Sequence, residues 1–247
     1  MMEDKRVGTY SFVAEPFHVD FTGKLTMSVL GNHLLNCAGF HAADRGFGIA
    51  ELNDNSYTWV LSRLAIEMFE MPMQYEKFTV STWVENVYRL FTDRNFEIKS
   101  ESGKVLGYAR SIWAMIDLTT RKPADLLTLH GGNIVTYICD KECLIDKPAR
   151  FKVVNSKLEA QYITRYSDID INGHVNSIKY IEHILDLFNI DFFKEKKIKR
   201  FELAYVAESY YNDTLKFYME EVVENEYNIE IMKDDNEVVV RSKVIFN

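Results

Sequence analysis

The chain has 247 residues, 47% of them hydrophobic, with a formal net charge of −8 and a pI of about 5.3. That is enough apolar material for a large core, arranged as one big domain or two small ones. The acidity disfavours wholesale binding to nucleic acid or to an anionic membrane, and no apolar run approaches the ~18 residues that cross a bilayer.

The N-terminal "MMEDKRVGTY" is mixed in charge and lacks the apolar centre of a signal peptide. Cys37, Cys139 and Cys143 are too few, and odd in number, for a disulfide framework. Together these features predict a soluble cytoplasmic protein without membrane insertion. The first amphipathic segment, Val19 to Asn36, reads "VDFTGKLTMSVLGNHLLN" and is followed by β-rich stretches: "YTWVLSRLAIEMF", "KFTVSTWVENVYRLFTDRNFEIKS" and "KVLGYARSIWAMIDL". The region from Thr119 to Val153, with "RKPADLL", "HGGN" and "DKPAR", reads as a connection. It puts a boundary near Pro148, giving domains 1–147 and 148–247.

Beyond the connection, Ile169 to Asp186 reads "IDINGHVNSIKYIEHILD". Val175, Ile178, Ile181, Ile184, Leu185 and Phe188 recur there at helical spacing and predict a helix of about four turns. A basic run follows, "KEKKIKR" from Lys194 to Arg200, with five basic residues against one acidic. It reads as a solvated loop or as a dock for an acidic partner. Then come "RFELAYVAES", "TLKFYMEEVV" and "EVVVRSKVIF", all extended in pattern.

The two halves repeat one another. The segments starting at Val19 and Ile169 align without gaps: Asp20 meets Asp170, Gly23 meets Gly173, His33 meets His183 and Leu35 meets Leu185. Each half therefore reads as a long helix followed by antiparallel strands, an α+β pattern. Where the second copy has Asp170, Asn172 and His174 around Gly173, the first has Asp20, Thr22 and Lys24 around Gly23. The acid and the glycine persist while the amide and imidazole do not, which points to one working site and one degenerate site. Thr22 could cap a helix as well as Asn172 could. His33 and His183, kept in both copies, read as structural.

The motif "DINGHVNSIKYIEHIL" resembles the second-domain signature of the acyl-acyl-carrier-protein (acyl-ACP) thioesterases, known from plant plastids and bacteria. "AYVAESYYND" matches a second signature, in which an aromatic, here Tyr205, precedes Glu208 by three positions. "TWVLSRLAIEMFEMP" and "VSTWVENV" match strands of the first domain. The resemblance covers essentially the whole chain. It implies a tandem hotdog fold, each domain a long helix wrapped by an antiparallel sheet. It also implies a catalytic network of Asp170, Asn172, His174 and Glu208, with acyl carrier protein bearing a fatty acyl thioester as partner. The lack of a plastid transit peptide fits a bacterial member. The cysteine frequent in relatives is Ser209 here, so a Cys-His-Asn route through that residue is excluded.

Thioester hydrolysis needs an activated water and stabilisation of charge on the carbonyl oxygen. If Glu208 lies on a strand with Ala204 and Val206, it points into the apolar interior, where desolvation would favour a base near neutral pH. His174 and Asn172 would orient that carboxylate and the water, and Asp170 remains an alternative base. Backbone N–H groups near Gly173 and His174 are candidate oxyanion donors. Lys194, Lys196, Lys197, Lys199 and Arg200 are candidates for carrier-protein binding. Trp59, Trp83 and Trp113 fall in the first domain, which would supply much of an acyl tunnel, ordinary core being the default reading. No cofactor or metal is expected: Cys139 and Cys143 lack further ligands at suitable spacing, and no G-x-S-x-G elbow or phosphate-binding glycine motif occurs. The alternatives are an acyl-coenzyme A thioesterase, a hotdog dehydratase, or a catalytically inactive acyl-binding protein. A homodimer is compatible with the sequence, although a tandem chain already contains the pairing that single hotdogs obtain by association.

Overall fold

In a computed structural model that describes residues 5–153, 156–233 and 236–247, the chain divides into two compact units. One comprises Met1–Thr26 with Leu30–Lys147, the other Met27–Val29 with Pro148–Asn247.

In the first unit, strand β1 (Val7–Val13) runs into a 3₁₀ turn at Pro16–His18 and then helix α1 (Met27–Ala43). A short α2 (Ile49–Asn53) precedes β2 (Tyr57–Met68), β3 (Lys77–Val87), β4 (Phe91–Ser100) and β5 (Val105–Asp117). The strands pair antiparallel in the order β1-β3-β4-β5-β2. Helix α1 buries Leu30, Leu34, Cys37, Ala38 and Ala42 at helical spacing. His33, on the same helix, packs on Phe12 at 4.2 Å and edge-on against Phe78 at 5.8 Å between ring centroids. Phe78, Phe96 and Ile98 of β3 and β4 are fully buried; truncating such a phenylalanine costs about 3–5 kcal/mol.

The second unit repeats the plan. β6 (Lys157–Ile163), a 3₁₀ turn at Tyr166–Asp168, α3 (Ser177–Leu185), α4 (Ile190–Glu195) and β7 (Ile198–Tyr205) are followed by β8 (Thr214–Val223), β9 (Glu226–Lys233) and β10 (Glu237–Phe246). The strand order is β6-β8-β9-β10-β7, again antiparallel and the same as in the first unit. Helix α3 buries Ile178, Tyr180, Ile181 and Ile184, and the facing sheet contributes Phe201, Leu203, Leu215, Phe217, Ile229 and Ile231. A helix laid on an antiparallel sheet, twice over, is the α+β hotdog architecture expected from the sequence.

Three expectations need correction. The second helix is shorter than about four turns: it ends at Leu185, and Asn189 caps a separate helix by accepting from the Phe192 N–H at 2.8 Å. Phe188 is drawn out of the helical pattern because it packs on Tyr227 and Phe246, each at 5.0 Å. The strands β1, β6 and β9 did not stand out in the sequence pattern. The stretch from Thr119 to Lys147 is no simple linker. Leu126, Leu129 and Ile134 join Phe47, Leu52 and Met115 in one core cluster, and Cys139, Cys143 and Ile145 join Trp83 in another. The backbone of this stretch is tied in as well, since Trp83 donates to the Lys141 carbonyl at 2.8 Å and Arg110 to the Ile145 carbonyl at 2.8 Å.

Beneath the second helix sits Asp168, only 2% exposed. It accepts from the Tyr162 hydroxyl at 2.8 Å and the Arg165 N–H at 2.6 Å, and His183 Nε2 lies 3.1 Å away. Burial alone would raise its pKa, but the Arg165 amide, Tyr162 and His183 together hold it below the usual aspartate value. A depressed carboxyl contributes stability above its unfolded pKa and loses it as pH falls through the folded value. Asp168→Asn is therefore expected to lower unfolding free energy by about 1–3 kcal/mol at pH 7. The gap from wild type should narrow as pH falls from the unfolded aspartate value of about 3.9 through the lower native one. Urea midpoints at pH 7 and pH 3 check both the loss and its pH dependence.

Candidate active site

The segment after the 3₁₀ turn of the second unit folds as a tight loop built around one side chain. Asp170 Oδ1 accepts the N–H of Asn172 at 2.8 Å and of His174 at 3.2 Å, while the Gly173 N–H returns to the Asp170 carbonyl at 3.0 Å. Gly173 has φ of +80°, a conformation that side chains with a Cβ rarely adopt. The loop then pairs with the segment beyond β7: Val175 N–H donates to the Ser209 carbonyl at 2.8 Å, and His174 forms a bridge with Tyr210. Asn176 caps α3 by accepting from the Ile178 N–H at 2.9 Å.

That pairing brings His174 to Glu208. The imidazole Nε2 lies 3.5 Å from Glu208 Oε2, and the Tyr210 hydroxyl donates to the same oxygen at 3.1 Å. The Tyr210 ring stands edge-on to His174, with centroids 5.2 Å apart. Lys233 donates to the Glu208 carbonyl at 2.8 Å and pairs with Glu237, so the chain around the carboxylate is anchored to β9 and the start of β10. The His174 side chain is 27% exposed and that of Glu208 36%. The arrangement is a reachable carboxylate with an imidazole and a phenol on one oxygen. It can accept a proton from water while its neighbours hold it in place.

The candidate residues divide accordingly. His174 and Glu208 come together. Asp170 is spent on the loop backbone, and the exposed Asn172 side chain makes none of the hydrogen bonds that tie the cluster. The Gly173 and His174 N–H groups are used inside the loop, so neither is free as an oxyanion donor in this conformation. Glu208 does not lie on a strand facing the interior: β7 ends at Tyr205 and Val206 is 53% exposed, so the expected deep desolvation is absent. Ser209 is buried, only 1% exposed. Of the basic run, Lys194, Lys197 and Lys199 are exposed and Lys196 half-buried, but Arg200 is 7% exposed and paired with Glu202 at 2.7 Å. Arg200 is therefore not presented to a partner; its position inside β7 turns it inward. Tyr210 was not singled out from sequence, although it stands two residues beyond Glu208 in the same segment.

The first unit keeps the scaffold of this loop without its chemistry. Asp20 Oδ1 accepts the Thr22 N–H at 2.7 Å and the Lys24 N–H at 3.3 Å, and Gly23 has φ of +76°. Leu25 N–H donates to the Pro72 carbonyl at 2.8 Å and Lys24 bridges to Met73. The correspondence places Lys24 where His174 stands, Met71 where Glu208 stands and Met73 where Tyr210 stands.

Comparison with known proteins follows this geometry. Residues 9–128 match the acyl-ACP thioesterase N-terminal domain and residues 151–247 the C-terminal domain. A crystal structure of an acyl-ACP thioesterase from Bacteroides thetaiotaomicron superposes with a TM-score of 0.95 at 67% identity, covering 100% of both chains. The 12:0-ACP thioesterase of Umbellularia californica shares the fold, with a TM-score of 0.84 at 19% identity over 98% of this chain and 97% of that one. The palmitoyl-acyl carrier protein thioesterase of Arabidopsis thaliana is 24% identical over 220 residues, 84% of this chain and 53% of its own length. The chain spans about half the length of the curated plant relatives it matches. With both family domains matched in order and the His174–Glu208 pair inside the second, the chain belongs to the acyl-ACP thioesterase family.

Proposed function

We propose that the chain hydrolyses fatty acyl thioesters of acyl carrier protein, releasing free fatty acids in fatty acid biosynthesis, through a water activated by Glu208. The observation that carries this reading is the His174–Glu208–Tyr210 cluster, present in one copy of a repeated loop and replaced in the other by Lys24, Met71 and Met73. A loop needed only for folding has no reason to differ so sharply in these side chains while keeping Asp, Gly and the backbone bonds that shape the turn.

In the proposed step Glu208 takes a proton from water as the water oxygen bonds to the thioester carbonyl carbon. The tetrahedral intermediate then collapses, the C–S bond breaks, and the proton passes from Glu208 to the departing thiolate. His174 orients the carboxylate, and Tyr210 donates to the same oxygen and holds it in place. Glu208 is preferred to Asp170 because Asp170 already accepts two backbone N–H groups. A covalent route through Ser209 is disfavoured by its burial. A cytoplasmic setting belongs to the same reading, supported by three free, buried cysteines.

Glu208→Gln, nearly isosteric but unable to accept a proton, is expected to lose about two to four orders of magnitude in kcat, and His174→Ala about a hundredfold. Ser209→Ala and Lys24→Ala should keep most activity. Single-turnover hydrolysis in oxygen-18 water should place the label in the fatty acid with no acyl group on the protein. An acylated Ser209, or equal losses at Lys24 and His174, would overturn the proposal. Tyr210→Phe removes one hydrogen bond of roughly 1 kcal/mol, so kcat should fall about fivefold with KM unchanged.

Acyl carrier protein enters the proposal as an acidic partner that must find a basic patch on an acidic protein. Lys194, Lys197 and Lys199 are the exposed candidates. Reversing all three to Glu is expected to raise KM for carrier-protein substrates severalfold, with the difference shrinking as salt is added. Coenzyme A thioesters should respond less. A KM insensitive to both charge and salt would remove these lysines from the docking surface.

A further inference from the structure

A cation stands behind the cluster at Glu208. Lys233, the last residue of β9, donates to the Glu208 carbonyl at 2.8 Å, and its ammonium lies 5.6 Å from the centroid of the Tyr210 ring. That distance is within the reach of cation–π attraction. The Tyr210 hydroxyl in turn donates to Glu208 Oε2 at 3.1 Å. The phenol therefore joins the ammonium at its ring to the carboxylate at its oxygen. Glu237 also pairs with Lys233, at 3.2 Å, but its side chain is 56% exposed against 20% for the lysine, so water screens it.

The repeat indicates that the fold itself does not need this lysine. The Thr164 N–H donates to the Asp213 carbonyl as the Ala14 N–H does to that of Glu76. Two residues further on, Leu215 pairs with Lys233 across β8 and β9, as Phe78 pairs with Ser100 across β3 and β4. Ser100 therefore occupies the place of Lys233. Its hydroxyl serves its own hairpin, bonding Ser102 Oγ at 2.8 Å and the Lys104 N–H at 3.1 Å. The copy with Met71 and Met73 in place of Glu208 and Tyr210 thus also lacks the ammonium at this position. Carboxylate, phenol and cation come as a set.

We propose that Lys233 is a positioning residue for the hydrolysis. It fixes the Glu208 main chain through the carbonyl, and through the ring it strengthens the phenol's hydrogen bond to the carboxylate. A cation at an aromatic ring draws electron density from it, which makes the attached O–H a better donor. Charge and reach are both required, since a neutral side chain of similar length can pack on Tyr210 but cannot polarise it. The proposal rests on the reading of Glu208 as the base, and its test includes a measurement that needs no turnover.

The full-length protein labelled with ¹³C at tyrosine Cζ gives a Tyr210 resonance, assigned by its loss in Tyr210→Phe. A phenol that shares its proton more fully with an acceptor resonates downfield. Lys233→Met should therefore move the Tyr210 signal upfield. Lys233→Gln, which can donate to a carbonyl but carries no charge, should do the same, and Lys233→Arg should stay near wild type. With acyl carrier protein thioesters, Lys233→Met is expected to lower kcat about tenfold with KM unchanged, and Lys233→Arg to recover most of the loss. In a Tyr210→Phe background the same change should lower kcat only about threefold, because the route through the phenol is already gone. A Tyr210 signal that stays in place in the neutral variants overturns the proposal and leaves the hydrolase reading standing. Equal kcat losses in the two backgrounds, or no recovery with arginine, overturn it as well. Wild-type protein that hydrolyses no acyl thioester overturns the reading of Glu208, and this proposal with it.

Discussion

Taking a carboxylate out of water is tolerable only when donors replace the water, and the second unit is organised around that requirement at Asp168. Its three partners come from β6, from the 3₁₀ turn and from α3, so satisfying the charge fixes how the strand, the turn and the helix meet. The Asn176 N–H also donates to the Asp168 carbonyl at 2.7 Å, which closes the loop that carries His174. The position of the imidazole therefore descends from a buried ion two turns of chain away. In the first unit the same places hold Phe12, His18 and His33. His33 is kept below the usual histidine range by burial and by His18 beside it, and both rings have a buried nitrogen without a partner among the described residues. One copy meets the packing problem with a satisfied charge, the other with packed aromatic rings.

Much of this was legible in the sequence because the signals were local or repeated. The gapless alignment of the two copies rests on Asp and Gly at fixed spacing, residues that a tight loop demands whatever its function. The pairing of His174 with Glu208 is a long-range event, and only the family pattern suggested it. What the sequence obscured has physical reasons. Helix α3 looked longer because Phe188 keeps the helical spacing, while its burial comes from an aromatic cluster with Tyr227 and Phe246. Arg200 looked like part of a basic surface because charge runs carry no sign of direction, yet strand alternation turns it inward to Glu202. Glu208 looked buried because the alternation of β7 was extended past its end at Tyr205.

The stretch from Thr119 to Lys147, which looks like a linker, lies inside the first unit. Its Gly, Pro and Asp content reads as punctuation, but its apolar residues are spaced for docking, and the fold uses them. Asp125 caps the 3₁₀ region by accepting from the Leu127 N–H at 3.0 Å. Leu126, Leu129 and Ile134 then close one end of the first unit's core. Ile134 and Tyr137 also line a cavity beside Arg94, so a segment that looks like a connector helps shape the interior of the first unit.

The Asp20 and Asp170 loops hold their shape through one carboxylate oxygen and one left-handed glycine. The residue just after that glycine contributes only its backbone to the turn. Its side chain is consequently free of folding duties, and a duplicated copy can exchange imidazole for ammonium in a single substitution without disturbing its neighbours. Gene duplication in such a framework separates two inheritances. The turn passes down as architecture, under pressure to stay, while the chemistry it displays drifts independently. A second copy thus becomes raw material for a new surface from the moment the first suffices for catalysis.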